Sequence, residues 1–175
     1  MYSIIEISAH RSVLVGVKME KAYFPLFVDL SEKKIIIVGG GKIAARRAAV
    51  LTRFASDITV IAPEFSEAME NLAAEQKIRC ERRMYKAGDI SSADLILAAT
   101  NDSALNRRIA GECRELERSC GRRILLSVAD DRSLCDFYFP SVIQKDEIVI
   151  GINSGGSDPG KVKKFREELE KKMEL

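Results

Sequence analysis

Ile35-Ile36-Ile37-Val38-Gly39-Gly40-Gly41-Lys42-Ile43-Ala44 decides the architecture of this 175-residue chain. An apolar, β-branched run stops at three glycines, and a stretch rich in Ala and Arg begins at once. The first part reads as a buried strand, the last as the opening of a helix, and the glycines as the sharp turn between them. Such a turn aims the free N–H groups of the helix, and its positive dipole end, at whatever lies above it. Gly39, Gly41 and Ala44 fit G-x-G-x-x-G/A. In that pattern the first glycine makes the tight turn, the second lets a pyrophosphate approach the backbone, and the small third residue lets helix and strand pack closely. The same residues also suit a glycine-rich turn that holds no ligand, so the remaining chain has to be weighed.

Composition narrows the classes. Apolar residues at 46% and charged residues at 31% describe a globular chain able to bury a core, as one domain or one domain with a small appendage. A formal charge of +2 is too small to point to nucleic acid. Cys80, Cys113, Cys120 and Cys135 form no C-x-x-C pair, so they read as reduced intracellular thiols and no metal site is expected. The single histidine, His10, leaves little room for histidine-based mechanisms. No apolar run approaches the ~20 residues of a membrane span. Nor is there the layout of a secretory signal. The expectation is a cytoplasmic protein with no membrane partner.

Taken in order, residues 1–18 read as a leader, with Met19 as a more natural start. Residues 23–30 form an extended apolar lead-in, with Pro25 discouraging helix at Phe24. Helical spacing covers 42–54, and 57–62 is a second strand ended by Pro63. An acid-opened helix is expected over 64–76. Residues 77–83 alternate like an edge strand, and 94–99 is a buried one. Asp102 or Ser103 can cap a helix running to about Ser119, and 123–128 is the next strand. This alternation predicts an α/β fold, with a mostly parallel sheet covered by helices and ligands at the strands' carboxyl ends. Beyond it, 137–143 and 147–152 read as a hairpin around Gln144-Lys145-Asp146, followed by a loop and a charged helix over 161–175. A lone hairpin is marginal. The expected division is therefore 1–18 leader, 19–137 nucleotide-binding domain and 138–175 a small region completed by a partner subunit.

Candidate chemistry lies at the strand ends. An acid about 20 residues past the glycines usually binds a ribose 2′-hydroxyl, and the nearest here is Glu64, after Pro63. No Arg or Lys lies between Thr59 and Ala74 to hold a 2′-phosphate, which favours NAD over NADP. Glu64 equally suits a helix N-terminus. Thr100 and Asn101 end a strand over the expected cofactor crevice, where helix capping and cofactor contact are compatible roles. Asp130 falls just past a buried strand; with almost no histidine available it is the best candidate for proton transfer or for guiding a hard cation. It also suits a solvated turn. Ser154-Gly155-Gly156-Ser157 can cradle an anion with backbone N–H groups, or simply connect. Lys161, Lys163, Lys164 and Arg166 follow as a solvated face or a rim for an acidic substrate.

The order of these motifs resembles a known family. Tyr23-Phe24-Pro25-Leu26-Phe27, Ile37-Val38-Gly39-Gly40-Gly41 with Ala44 and Arg46, and Ala98-Ala99-Thr100-Asn101-Asp102 come first. Ser127-Val128-Ala129-Asp130, residues 137–143 and Ser154-Gly155-Gly156-Ser157-Asp158-Pro159 follow. Together they resemble precorrin-2 dehydrogenase, the NAD-dependent enzyme of siroheme synthesis, also found as the N-terminal part of multifunctional siroheme synthases. The resemblance runs from about Ala22 to Leu169. It implies a Rossmann-type domain with a hairpin-and-helix dimerisation region, a homodimer, and dehydrogenation of the tetrapyrrole precorrin-2 to sirohydrochlorin. Some members also insert Fe²⁺, there a substrate, as ferrochelatases.

By that resemblance the family's key acid falls on Asp130. Cofactor contacts fall on Lys42, Ile43, Pro63 and Glu64, joining Gly39, Gly40, Gly41, Thr100 and Asn101 of the turn and strand end read above. The serine ahead of the paired glycines falls on Ser154; an acidic substrate also gives a use to the N–H groups of Gly155 and Gly156 and to Lys163 and Arg166 of the basic helix. Two departures stand out: Ser127 replaces a frequent Asn, and the sequence stops at Leu175, where many members continue into a longer helical region. The rival from another class is a non-catalytic Rossmann module that senses nucleotide and regulates a partner such as a cation transporter. The hairpin, the Ser-Gly-Gly loop and the basic helix weigh against it. A chelatase without cofactor is a third reading, opposed by the intact glycines.

Overall fold

The computed structural model describes residues 24–155 and 158–173. The expected leader 1–18, the Met19 start, Tyr23, and Gly156 and Ser157 of the loop lie outside the described residues.

Five strands form one all-parallel sheet: β1 Lys34–Val38, β2 Asp57–Ala62, β3 Arg79–Arg82, β4 Leu95–Ala98 and β5 Leu125–Val128. Their spatial order is β3-β2-β1-β4-β5. The chain winds outward from β1 to β3, then crosses to the other side of β1 and continues through β4 and β5. The switch in direction lies between β1 and β4, where Val38 is level with Ala98. Connections through helices α1 Lys42–Leu51, α2 Glu67–Ala74 and α3 Ser103–Cys120 cover both faces. That coverage explains why the inner strands β1 and β4 read as near-continuous apolar runs, whereas the edge strand β3 alternates.

Alternate residues of each strand serve opposite cores. Ile36, Val38, Ile96, Ala98, Leu126 and Val128 pack with Ile109, Ala110 and Cys113 of α3. Ile35, Ile37, Ile58, Val60, Leu95 and Leu97 pack with Ala44, Ala48 and Leu51 of α1 and Met69 of α2. Asp94 ties the sheet's lower edge together: it accepts from the Lys34 N–H at 2.9 Å and pairs with Arg122 at 2.9 Å.

Past β5 a short 3₁₀ turn, Arg132–Leu134, brings the chain back along the strand. The Asp136 N–H donates to the Leu126 carbonyl at 2.8 Å, and the Val128 N–H reaches Cys135 Sγ at 3.1 Å. Strands β6 Ser141–Lys145 and β7 Ile148–Ile152 then pair antiparallel, and α4 Pro159–Lys172 follows.

Several boundaries differ from the sequence reading by a few residues, and three of the differences have a cause in the packing. Helix α2 starts at Glu67, not Glu64, because the Ser66 N–H is spent on the Gly40 carbonyl at 2.8 Å. Strand β6 starts at Ser141, not 137: Phe137 and Phe139 pack on the α1-side core, and Pro140 has no N–H to give a ladder. The hairpin turns at Asp146 and Glu147, Asp146 taking a left-handed φ of 50°.

Candidate functional site

The three glycines serve three different ends. Gly39 has φ of 124°, and a Cβ there would lie 2.3 Å from the Ala99 carbonyl oxygen. It is glycine because the β1 turn passes against the end of β4. At Gly40 a Cβ would lie 2.0 Å from the Glu64 carbonyl oxygen, so the loop after β2 closes directly on this residue. Gly41 is different: its backbone is extended, and a Cβ would meet nothing within 4 Å. The protein's own packing does not require glycine there. It leaves open space at the N-terminus of α1.

That N-terminus is bare. No side chain caps it and no acid lies in its first turn. The first returning helical bond runs from the Ala45 N–H to the Gly41 carbonyl at 3.0 Å. The N–H groups of residues 42–44 precede it, the orphan donors of any helix start. Ala44, wholly buried, lets α1 lie close on the sheet. An open face beside a bare helix N-terminus, at the switch point of a parallel sheet, has the donor set and the room that a pyrophosphate needs.

Around this crevice stand the other strand ends. Pro63 and Glu64 are exposed past β2. Sheet pairing adds a cation that the linear reading of 59–74 does not contain. Arg82 of β3 lies level with Ala62, over the Phe65 ring at 5.0 Å, and pairs with Glu70. Past β4, Asp102 rather than Ser103 caps α3, accepting from Ala104 N–H at 2.9 Å and Leu105 N–H at 3.1 Å. Asn101 is exposed on the rim.

Thr100 leads to the acid. The Asn106 side chain on α3 is fully buried. Its Oδ1 accepts from Thr100 Oγ1 at 2.7 Å and from the Thr100 N–H at 3.2 Å. Its Nδ2 donates to the Thr100 carbonyl at 3.2 Å and to Asp130 Oδ1 at 2.8 Å. Ser103 Oγ donates to the other oxygen, Asp130 Oδ2. The Ser103 hydroxyl foremost, with the Asn106 amide, holds the Asp130 carboxyl below the ordinary aspartate range, outweighing the opposing effect of burial. Asp130 is thus an exposed, anionic group fixed at both oxygens, past the end of β5. Asn106 was absent from the residues expected to matter. Its spacing with Ile109, Ala110 and Cys113 places it on the inward face of α3, but nothing in the linear sequence shows which polar groups it meets there.

The residues past β7 are less tightly grouped with this site. Ser154 Oγ accepts from the Asp158 N–H at 3.2 Å, and the Gly155 N–H donates to Asn153 Oδ1 at 2.6 Å with Gly155 at φ 64°. Asp158 caps α4, accepting from the Lys161 N–H at 2.8 Å. Arg166 pairs with Glu170 at 2.5 Å and Lys163 with Glu167 at 3.8 Å, so the basic opening of α4 is partly neutralised along its own length. Among the described residues no group of three or more His, Cys, Asp or Glu is arranged to hold a metal.

Residues 26–141 match the family model described as "Putative NAD(P)-binding". The chain belongs to this NAD(P)-binding family. Among curated proteins it is 34% identical over 148 residues to Siroheme synthase 1 of Serratia proteamaculans, a match covering 85% of this chain and 30% of that protein. It is 38% identical over 148 residues to a siroheme synthase of Neisseria meningitidis, again with 85% and 30% covered. The chain thus spans about a third of the length of these relatives. In fold it is similar to the solved structure of SirC, a precorrin-2 dehydrogenase, with a TM-score of 0.71 at 23% identity, covering 86% of this chain and 70% of that one. The expected α/β architecture, with its parallel sheet and small hairpin, is that of the structure. No helix among the described residues is long and apolar enough to cross a membrane.

Proposed function

We propose that this chain dehydrogenates precorrin-2 to sirohydrochlorin with NAD⁺, as the dehydrogenase unit of siroheme synthesis. One observation carries the reading. The anionic Asp130 is joined through Asn106 to Thr100, on the rim of the crevice that suits a dinucleotide. A proton acceptor and a hydride acceptor then share one end of the sheet. Precorrin-2 gives a hydride to NAD⁺ and a proton to base, leaving sirohydrochlorin and NADH. When bound, the nicotinamide supplies the hydride acceptor.

The chain's own residues do the rest. Gly39 and Gly40 keep the turn tight, and Gly41 keeps it open. The N–H groups at Lys42 and Ile43 receive the pyrophosphate, while Pro63 and Glu64 border the ribose, with Glu64 accepting from its 2′-hydroxyl. Arg82, the nearest cation brought by β3, is engaged by Glu70, which favours NAD over NADP. Thr100 and Asn101 form the far rim. Asp130 takes the proton, and Ser154, Gly155, Gly156, Lys163 and Arg166 meet the substrate's carboxylates. The protein works in the cytoplasm as a homodimer, residues 138–175 forming the region that a second copy completes. Fe²⁺ insertion is a second activity of the same site, with iron as substrate.

The test is anaerobic incubation with precorrin-2 and NAD⁺, following NADH and the tetrapyrrole spectrum, then adding Fe²⁺. NADH appearing with sirohydrochlorin is expected. Asp130→Ala is expected to fold and bind NAD yet lose turnover on the order of a hundredfold or more. Folded protein that binds NAD but yields no NADH from active substrate overturns the reading in favour of a nucleotide-sensing module. Iron insertion no faster than the spontaneous reaction removes the second activity alone.

A further inference from the structure

We propose that Asn106 is the positioning residue of this site, its buried amide fixing the Asp130 carboxylate to the cofactor rim at Thr100. The inference rests on the reading of Asp130 as proton acceptor and adds what holds it.

The orientation of the amide is determined by its neighbours. The Thr100 N–H donates to Asn106 Oδ1, and the Thr100 hydroxyl lies 2.7 Å from the same oxygen, with the Asp102 carbonyl its other acceptor at 3.0 Å. The other end of the amide must therefore be Nδ2, and it faces two acceptors, the Thr100 carbonyl and Asp130 Oδ1. A flipped amide would set oxygen against a carboxylate and NH₂ against an N–H. Every hydrogen-bonding group of this buried side chain is thus used, as burial requires, and each goes to the ends of β4 and β5. None is spent on capping α3, which Asp102 does. A residue needed only to stop or start the helix would not reach across the sheet.

Asp130 itself is exposed and sits outside the last hydrogen-bonded strand residue. Ser103 holds one oxygen, from an exposed position on the first turn of α3. Asn106 holds the other from inside the core and joins the carboxylate to Thr100 on the crevice rim. Arg107 on α3 favours the anionic form of both Asp130 and its neighbour Asp131, while the charge on Asp130 opposes ionisation of Asp131. Proton transfer depends on reach of a few tenths of an ångström, and a misplacement of about 1 Å can cost on the order of a hundredfold in rate.

Two variants separate positioning from bulk structure. Asn106→Asp retains an acceptor for both Thr100 donors and replaces the Nδ2 donor to Asp130 by a second oxygen. Thr100→Val removes no group that touches Asp130; it removes the hydroxyl that orients the amide, together with that hydroxyl's bonds to the Asp102 N–H and carbonyl. The readout is the ¹³C carboxyl titration of Asp130, assigned by the signal lost in Asp130→Asn, alongside the pH profile of turnover. In Asn106→Asp the apparent titration of Asp130 should move up by about one unit or more. The acid limb of kcat should move with it, because Asp130 must be deprotonated to accept a proton. Thr100→Val should shift the titration the same way by less, with kcat lowered more than the KM for precorrin-2 is raised.

An Asp130 titration like the wild type's in both variants overturns the proposal, whatever their stability. If Asn106→Asp does not fold, an unmoved titration in Thr100→Val alone overturns it. A shifted titration in a chain whose wild type does not oxidise precorrin-2 upholds the positioning and overturns the dehydrogenase, so the two failures are distinct.

Discussion

At the scale of single residues, the glycine triplet divides into two positions that the protein's own packing requires and one that it does not. Gly39 and Gly40 face backbone carbonyls at 2.3 and 2.0 Å from where a Cβ would stand, and backbone cannot swing aside as a side chain can. Gly41 faces open space with an ordinary extended backbone. Gly40→Ala should therefore destabilise the protein by about 1–3 kcal/mol, read as a lower denaturant midpoint. Gly41→Asp should melt within a few degrees of the wild type yet lose NAD binding by calorimetry, since it sets bulk and negative charge where a pyrophosphate would lie. Unchanged NAD affinity in Gly41→Asp would make the turn structural only. Much of this was legible in the sequence, because Gly39, Gly41 and Ala44 have a spacing with a local meaning. The constraint on Gly40 was not, since it comes from Glu64 in another loop. Asn106 escaped for the same reason: its partners, Thr100 and Asp130, lie past the ends of two different strands, and only the sheet order brings them together.

At the scale of elements, the apolar runs at 35–38, 57–62 and 94–99 were readable as strands because both faces are covered, which demands hydrophobic residues at every position. Boundaries at polar segments were less legible. The start of α2 is set by a hydrogen bond to Gly40, and the start of β6 by where Phe137 and Phe139 find a core. Arg82 reaches the cofactor end of β2 through strand pairing, not through chain proximity. Helix α1 is the element on which the site depends most, since it both supplies the orphan N–H groups and lies on the sheet by its alanines. Ala44 and Ala48 are wholly buried, whereas Ala49 on the same helix is exposed. Ala48→Leu should push α1 off the sheet, costing about 1–3 kcal/mol and weakening NAD binding together. Ala49→Leu should change neither. Equal effects from the two substitutions, measured by denaturant midpoint and NAD titration, would mean that α1 does not depend on this close approach.

At the scale of the whole molecule, the two halves of the chain differ in how well they satisfy themselves. The parallel sheet has a complete core on each face. The hairpin and α4 do not: Ile143 is buried, but α4 buries no residue fully, and Ile148 and Phe165 remain 59% and 54% exposed. A two-stranded hairpin with one short helix is marginal alone. The lead-in adds further apolar surface, with Phe24, Leu26 and Phe27 each at least 74% exposed. A second copy of the chain would cover such surface and bring a second basic helix beside the first, giving Lys163 and Arg166 company that their own carboxylate neighbours now offset. Light scattering on the eluting peak should accordingly give twice the chain mass for the wild type. The double substitution Ile148→Asp and Phe165→Asp, both at exposed positions, should halve that mass while leaving NAD affinity within about twofold, because neither residue touches the glycine turn. It should also raise the KM for precorrin-2, as expected if the second copy helps to enclose the substrate. A wild-type chain that elutes at a single chain mass would remove the dimer, and with it the assignment of 138–175 as the region that a partner completes.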